Sequence, residues 1–424
     1  MKTKGLSVVR IQVFIALFIS CLGLSLHAQE STKYITINGS AKDAKSKKKI
    51  EYASVTIPGT NISTVTNTDG EFSVKIKEGI KASELEISHI GYFTIRQPIE
   101  SKDYDNLEIY LQPNITKLKD VVIDMVEPRQ LVEKAIRKVG DNYNSTPSLL
   151  TGFYRETIKK GRGYIDISEA VAEVYKTPYN NKSNTNLDKV QILKSRSLLS
   201  PKSGDTLIVK LLGGPNLSIH LDMVKNPDLI LDLKTIDDYK YKYKGTVFID
   251  DKPHYIIEFK PQVIAPYPLS EGTLYIDQET LTFSRAEFKL NMDDRSKITQ
   301  SILKKKPAKL HFKPEEVAYL VTYKERNGRS YLHYVRSEVR FKCDWKKKFF
   351  FFSTNYAVVS EMVTTDENIN NISNIPRKLA FKENQSLSDK ALDFYDINFW
   401  DDYNIIPPTE SLESAINKLK KQYK

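Results

Sequence analysis

The chain has 424 residues, of which 40% are hydrophobic and 28% charged, with a formal charge of +11. That length allows two or three domains, and the two cysteines, Cys21 and Cys343, exclude a fold framed by several disulfides. The basic balance suits nucleic acid, anionic lipid, lipopolysaccharide or an acidic protein, unless Lys47–Lys49, Lys304–Lys306 and Lys346–Lys348 are only solvated turns.

Lys2, Lys4 and Arg10 precede the apolar run "VFIALFISCLGLSL" and then "HAQE", the layout of a secretory signal peptide over residues 1–28 with cleavage after Ala28. Cys21 in "FISC" leaves lipid attachment as the alternative. Cleavage after Ala28 lowers the formal charge from +11 to +8 and leaves Cys343 alone, so no intrachain disulfide remains. Export also removes nucleic acid from the expected partners. The expected location is the periplasm or the outer membrane, with no membrane-spanning segment after signal removal.

From Lys33 to Pro113, short β runs alternate with turns: "YITINGSAKD", "ASVTIPGT", "STVTNT", "EFSVKI", "ELEISHIGY" and "LEIYLQP". The period of two predicts about seven strands in a two-sheet sandwich over residues 33–113. Asn67-Thr-Asp69-Gly70 offers oxygen atoms, but a calcium loop needs further ligands where only Glu71 precedes the next strand. The stretch therefore predicts a hairpin turn, with Gly70 supplying positive φ.

Asn38-Gly39, Ala53-Ser-Val55, Thr68-Asp69-Gly70-Glu-Phe72, Gly91-Tyr92 and Leu111 together resemble the carboxypeptidase-regulatory-like domain. The resemblance implies a transthyretin-like β-sandwich of the kind found in front of exported Gram-negative envelope proteins. It implies an accessory module without catalytic residues.

Residues 114–127 read as a linker, and residues 128–424 as an α+β domain. "PRQLVEKAIRKVG" places Leu131, Val132, Ala135, Ile136 and Val139 on one helical face, with Pro128 in the first turn and Gly140 at the stop. A hairpin turning at Lys160–Gly163 follows, then a loop at Asn180–Asn186. From Asp238 to about Thr365 the pattern is almost continuous β, with turns at Asp277–Thr280 and Asn327-Gly328, and predicts one curved antiparallel sheet. "TESLESAINKLKKQ" predicts a closing helix with Leu412, Ala415, Ile416 and Leu419 in its apolar stripe, docked on the sheet. The expected fold class is mainly β (α+β): a β-sandwich plus a curved antiparallel sheet with flanking helices. A membrane barrel is not expected, because the strands carry many lysines and the chain ends in a basic helix.

"EKAIRKVGDNYNSTPSLLTGFYRE", "LLGGPNLSIHLDMVKNPDLIL", "GTLYIDQETLTFSRAEF" and "FWDDYNIIPPTESLESAINKL" resemble a family of exported proteins that carry the same sandwich in front. That resemblance implies no activity. By architecture alone, the repeated hairpins also resemble the half-barrel of periplasmic lipoprotein carriers.

Candidate chemistry is sparse. His89, His220, His254, His311 and His333 form no His-x-x-Glu or His-Glu-x-x-His set, Gly-x-Ser-x-Gly is absent, and Cys343 reads as a packed thiol. Arg155, Glu156, Glu169 and Glu173, with Asp166 nearby, could be a cross-strand ion-pair network or, if reactive, the acid and base of a hydrolase. Leu211–Pro215, "LLGGP", reads as a turn. Val247, Ile249, Tyr255, Ile257, Phe259, Leu274, Ile276, Phe283 and Phe288 would share one side of the sheet. They are core if the closing helix covers them, and a groove for an acyl chain or peptide if it does not. These readings predict a non-enzymatic envelope binding or scaffolding protein, without metal or cofactor, whose partner is an envelope protein or a lipid. A lipid or lipoprotein carrier is the alternative, and a hydrolase the second.

Overall fold

The computed structural model describes residues 33–114, 127–180, 188–202, 205, 207, 209–345, 353–382, 385, 387, 392–393, 399–400 and 403–422. The signal segment with Cys21, nearly all of the linker, most of the Asn180–Asn186 loop and Lys346–Lys348 lie outside the described residues.

The sandwich is built from β1 (Tyr34–Asp43), β2 (Ser54–Thr56), β3 (Ser63–Val65), β4 (Glu71–Lys77), β5 (Glu84–Ser88), β6 (Ile95–Pro98) and β7 (Tyr104–Leu111). One sheet has the order β4-β1-β7 and the other β3-β2-β5-β6. Alternate residues such as Ile37, Val55, Phe72, Val74, Ile76, Leu85 and Ile87 point between the sheets and form a core of their own. Gly70 (φ 71°) turns β3 toward β4, and a Cβ there would stand 2.7 Å from the Ala41 carbonyl oxygen.

Two short helices follow, α1 (Pro128–Arg137) and α2 (Val139–Asn142). The apolar face holds, but the helix does not run on to Gly140: Lys138 caps α1, and Gly140 lies inside the second turn. The next strands are β8 (Ser148–Lys160), β9 (Gly163–Lys176), β10 (Lys189–Leu199) and β11 (Lys210–Leu211), followed by α3 (Pro215–His220). Then come β12 (Tyr239–Ile249), β13 (Lys252–Pro261), β14 (Ser270–Asp277), β15 (Phe283–Leu290), α4 (Arg295–Ile302) and β16 (Leu303–Lys305). The chain continues through β17 (Leu310–Arg326), β18 (Arg329–Trp345), β19 (Thr354–Asn368), β20 (Leu392–Asp393) and α5 (Glu410–Lys421).

Eleven strands make one sheet in the order β12-β13-β14-β15-β17-β18-β19-β8-β9-β10-β20. Neighbours are antiparallel except β10 and β20. Most links are local hairpins, such as the Asn327-Gly328 turn, where both residues have positive φ. The links that are not hairpins join β15 to β17, across α4 and β16, β10 to β20, and β8 to β19 at the central seam, which pairs from Leu149↔Asn368 to Lys160↔Tyr356.

Each face of this sheet has a different cover. α1, α3 and the run from Leu221 to Ile236 pack against Ile257, Phe259, Leu274, Ile276, Phe283 and Val321, forming the main core. α4 extends this helix face through Ile298 and Ile302, packed with Val317, Val339 and Phe341. The opposite face carries the sandwich, with Val65 packed among Phe153, Val171, Tyr334, Val363 and Ile406. α5 docks on this sandwich face as well, Leu412, Ile416 and Leu419 lying on Ile167 and Leu198. The closing helix therefore does not cover the predicted groove residues; α1 and the 215–238 run do.

Candidate functional site

The predicted groove residues divide between the two faces. Ile257, Phe259, Leu274, Ile276, Phe283 and Phe288 are buried in the main core, with Tyr255 packed against them. Val247 and Ile249 are a correction: a β-bulge between Tyr243 and Gly245 shifts the register, so Val247 pairs with His254 and turns to the sandwich face. There it lies beside Gly91, whose amide donates to the Phe248 carbonyl (2.8 Å). What would have been a groove wall is filled by the chain's own helices and loops.

The predicted ion-pair residues also separate. Successive strand residues point to opposite faces, so Arg155 and Glu156 cannot share a network. On the sandwich face, Arg155 Nε donates to Glu169 (2.7 Å) and its Nη2 to the Ile406 carbonyl (2.7 Å), with Glu361 at 3.3 Å. Arg196 closes the other side of Glu169 at 2.7 Å. Burial works against these charges, but the arginines outweigh it and hold the Glu169 carboxyl below its usual range. Glu361 lies 206 residues from Arg155 and had no local signal in the sequence, whereas Arg196 stands directly opposite Glu169 on the next strand, β10, a register that the loop between β9 and β10 hid. Glu173 lies four residues along β9 from Glu169 and makes no ion pair among the described residues.

On the helix face, Glu156 accepts from the Tyr154 hydroxyl (2.8 Å) and stands opposite Ser168, which donates to Asp166 (2.8 Å). Burial raises the Glu156 pKa and pushes Asp166 up to about 6, with the Glu156 charge adding to the Asp166 shift. The "LLGGP" turn packs here, the Gly214 amide lying 3.4 Å from Glu156. A second buried set, absent from the sequence reading, ties the covering run to the sheet. Lys176 Nζ lies 2.8 Å from Asp222, which also accepts from Tyr179 (2.7 Å) and Tyr323 (2.8 Å), and Lys176 pairs with Asp188 too.

The Asn67–Gly70 turn does more than reverse the chain. Asn67 Oδ1 accepts from the Asp69 and Glu71 amides (2.8 and 2.9 Å), the self-bonding of a turn residue. Its amide nitrogen lies 3.2 Å from the Pro407 carbonyl, and Asp69 accepts from the Glu410 amide (2.9 Å) and pairs with Lys49. Nearby, Asn404 bonds both backbone groups of Lys75 on the edge of β4, and Ser73 bridges to Ile405. The segment before α5 thus closes one sandwich edge and clamps the sandwich to the sheet.

A cleft of about 530 Å³ opens beside this clamp. Asn67 and Thr68 of the sandwich, Lys159, Arg336, Glu338, Arg340 and Glu361 of the sheet, and Thr409 and Ser411 before and within α5 form its walls. A second cavity, about 310 Å³, separates the sandwich loop at Thr56–Thr60 from His254, Asp277 and Ser284. His254 Nε2 is 2.7 Å from Ser284 Oγ, and its Nδ1 is 2.9 Å from the Lys252 carbonyl. These partners assign Nδ1 as the donor and Nε2 as the acceptor. Asp277 stands 3.9 Å from Nε2 and accepts turn amides from Glu279 and Thr280, so no carboxylate stands at Nδ1. Among the described residues, no group of three or more His, Cys, Asp or Glu is placed to hold a metal ion. Cys343 is buried on β18.

His333 is buried and His89 partly so, and the inward-facing His89 Nδ1 and His333 Nε2 have no hydrogen-bond partner among the described residues. Burial pushes their pKa values down to about 4 and about 3. As pH falls below the unfolded value of about 6.5, the unfolded chain takes up protons that the folded chain refuses, so stability is lost. The slope is about 1.4 kcal/mol per pH unit for each histidine. Asp166 works in the opposite sense, losing stability as pH rises from about 4 toward its folded value. His333→Phe is expected to flatten the fall in melting temperature between pH 6.5 and 4; an unchanged slope excludes His333 as its source.

Residues 37–123 match the CarboxypepD_reg-like domain family, a match that takes in the sandwich from within β1 and ends before β8. No curated protein matches the chain. A Vibrio parahaemolyticus domain described as an outer membrane lipoprotein-sorting protein is similar over 59% of this chain and 94% of its own, at 11% identity and a TM-score of 0.29. A DUF1329 family protein from Desulfovibrio piger is similar over 58% and 95%, at 13% identity and a TM-score of 0.25. MucB, in a complex with MucA(peri), is similar over 58% and 100%, at 9% identity and a TM-score of 0.18. These overlaps are partial, and no activity passes from them to this chain. No helix among the described residues is long and apolar enough to cross a membrane.

Proposed function

We infer that the protein is a non-enzymatic binding protein of the cell envelope that holds an extended, charged segment of a protein partner in the cleft beside Asn67 and α5. The observation that carries this reading is the cleft itself: it has three walls from distant parts of the chain, and a charged floor. Arg340 is more than half exposed, and its partners Glu338 and Glu316 leave it on the rim, where it can exchange an internal carboxylate for one from a partner. Arg155, by contrast, spends its donors on Glu169, Glu361 and backbone carbonyls, which suits a wall and not a reacting group. The carrier alternative has less support, because six of the nine groove residues are core.

Pull-downs from an envelope extract test the reading. Lys159→Glu with Arg340→Gln is expected to abolish recovery of a partner that the unchanged protein retains, while circular dichroism shows the fold kept. Equal recovery by both proteins rejects the cleft. In the same preparation, a fluorophosphonate probe is expected to leave Ser284 unlabelled; stoichiometric labelling there would establish a hydrolase instead.

A further inference from the structure

The loop between β13 and β14, Gln262–Leu269, projects from one end of the large sheet. Val263 to Pro268 contains no charged residue. Ile264 is 95% exposed, with Val263 at 42% and Tyr267 at 47%. An aliphatic side chain so fully in water gains free energy on entering any apolar medium.

The base of the loop is held firmly. The Gln262 amide donates to the Asp238 carbonyl (2.8 Å) and its side chain to the Asp237 carbonyl (2.7 Å). Lys297 Nζ donates to the Ala265 carbonyl (2.8 Å), and Ala265 and Leu269 are anchored in the main core. The apolar tip is therefore presented on a fixed support.

Lysines flank it. Lys240, Lys242 and Lys244 are exposed along the edge strand β12, and Lys240 stands directly opposite Lys260 of β13. Glu258 lies between Lys244 (3.6 Å) and Lys260 (3.7 Å), while Lys240 and Lys242 have no carboxylate partner among the described residues. Like charges opposed across a strand pair are unfavourable in water and are relieved against a negative surface. The nearby acids are engaged in part: Asp237 pairs with Arg129, and Glu271 with Lys289.

We propose that this end of the sheet docks on an anionic lipid bilayer, Val263, Ile264 and Tyr267 entering the interfacial region while Lys240, Lys242 and Lys260 meet headgroup phosphates. The pairing of an apolar tip with flanking cations matches the two contributions that hold peripheral proteins at membranes. A protein partner would need both an apolar pocket and a row of acids; a bilayer with anionic headgroups supplies both in one surface.

Cosedimentation with vesicles of phosphatidylcholine alone, or mixed with phosphatidylglycerol, tests the proposal. Binding is expected only to the mixed vesicles and should weaken as salt rises. Ile264→Asp should lower the affinity about tenfold or more, and Lys240→Glu or Lys242→Glu about fivefold each. All three positions are exposed, so melting temperatures should be unchanged. Ile264→Trp should show a blue-shifted emission on mixed vesicles. Equal binding to both vesicle types, no binding to either, an unaltered affinity of Ile264→Asp, or an emission of the Ile264→Trp variant that does not move overturns the proposal.

Discussion

Arg155→Ala is expected to lower the unfolding free energy by about 3–5 kcal/mol, the cost of stripping the partner from a buried charge. Glu169 is 1% exposed in its side chain and would keep only Arg196, while the Ile406 carbonyl would lose its donor. The double variant Arg155→Ala/Glu169→Gln should be less destabilised than the sum of the two single changes, because the second removes the charge that the first strands. Urea titrations with an unchanged m-value measure both effects. A loss below about 1 kcal/mol for Arg155→Ala would mean that solvent reaches the site and that the network is an ordinary surface pair. Hydrogen exchange gives a second readout: Tyr403–Thr409 should exchange faster, since Arg155 binds that segment to the sheet.

Asp222→Ala should cost a comparable amount, about 3–5 kcal/mol, on the other face. It removes one of the two carboxylates on Lys176, which is 2% exposed, and the acceptor of the Tyr179 and Tyr323 hydroxyls. Asp222→Asn keeps an acceptor for the hydroxyls and loses only the charge, so it should fall between the parent and Asp222→Ala. If the two variants are equally destabilised, the hydroxyl contacts contribute nothing and the Lys176 pair carries the whole effect. Burial alone would lower the Lys176 pKa, but Asp188 and Asp222 outweigh it, so the lysine remains charged at neutral pH.

The hairpins of both domains were legible because their signals are local. Alternation in Phe72-Ser-Val74-Lys-Ile76, Asp69-Gly70 and Asn327-Gly328 specify strands and turns within a few residues. Face assignment was less secure. A period of two carries a side-chain prediction along a strand only until a bulge inserts a residue, and the one at Tyr243/Gly245 moved Val247 and Ile249 to the far side. Arg155 and Glu156 illustrate the same geometry at its shortest range: adjacent in sequence, they belong to different faces.

Other contacts of the fold are encoded by no local pattern. Arg155 is completed by Glu361 and Ile406, and Asn67 by Pro407, each hundreds of residues away. The run from Leu221 to Ile236 has neither a helical nor a strand period, yet it covers the sheet. Its irregular backbone is held by the Lys176–Asp222 set and by apolar residues such as Met223 and Leu231.

The seam between β8 and β19 has consequences for how the molecule comes together. Every other long neighbour pair in the large sheet, apart from β15 with β17, is a hairpin that can zip from its own turn, whereas this junction must wait for a search across some two hundred residues. Closing such a distant pairing is entropically slow. Refolding should therefore pass through a species with two half-sheets and two raw strand edges, open to pairing with another copy. Dilution, or a chaperone that shields β8 until its mate arrives, would govern the yield of the native protein more than any gain in final stability.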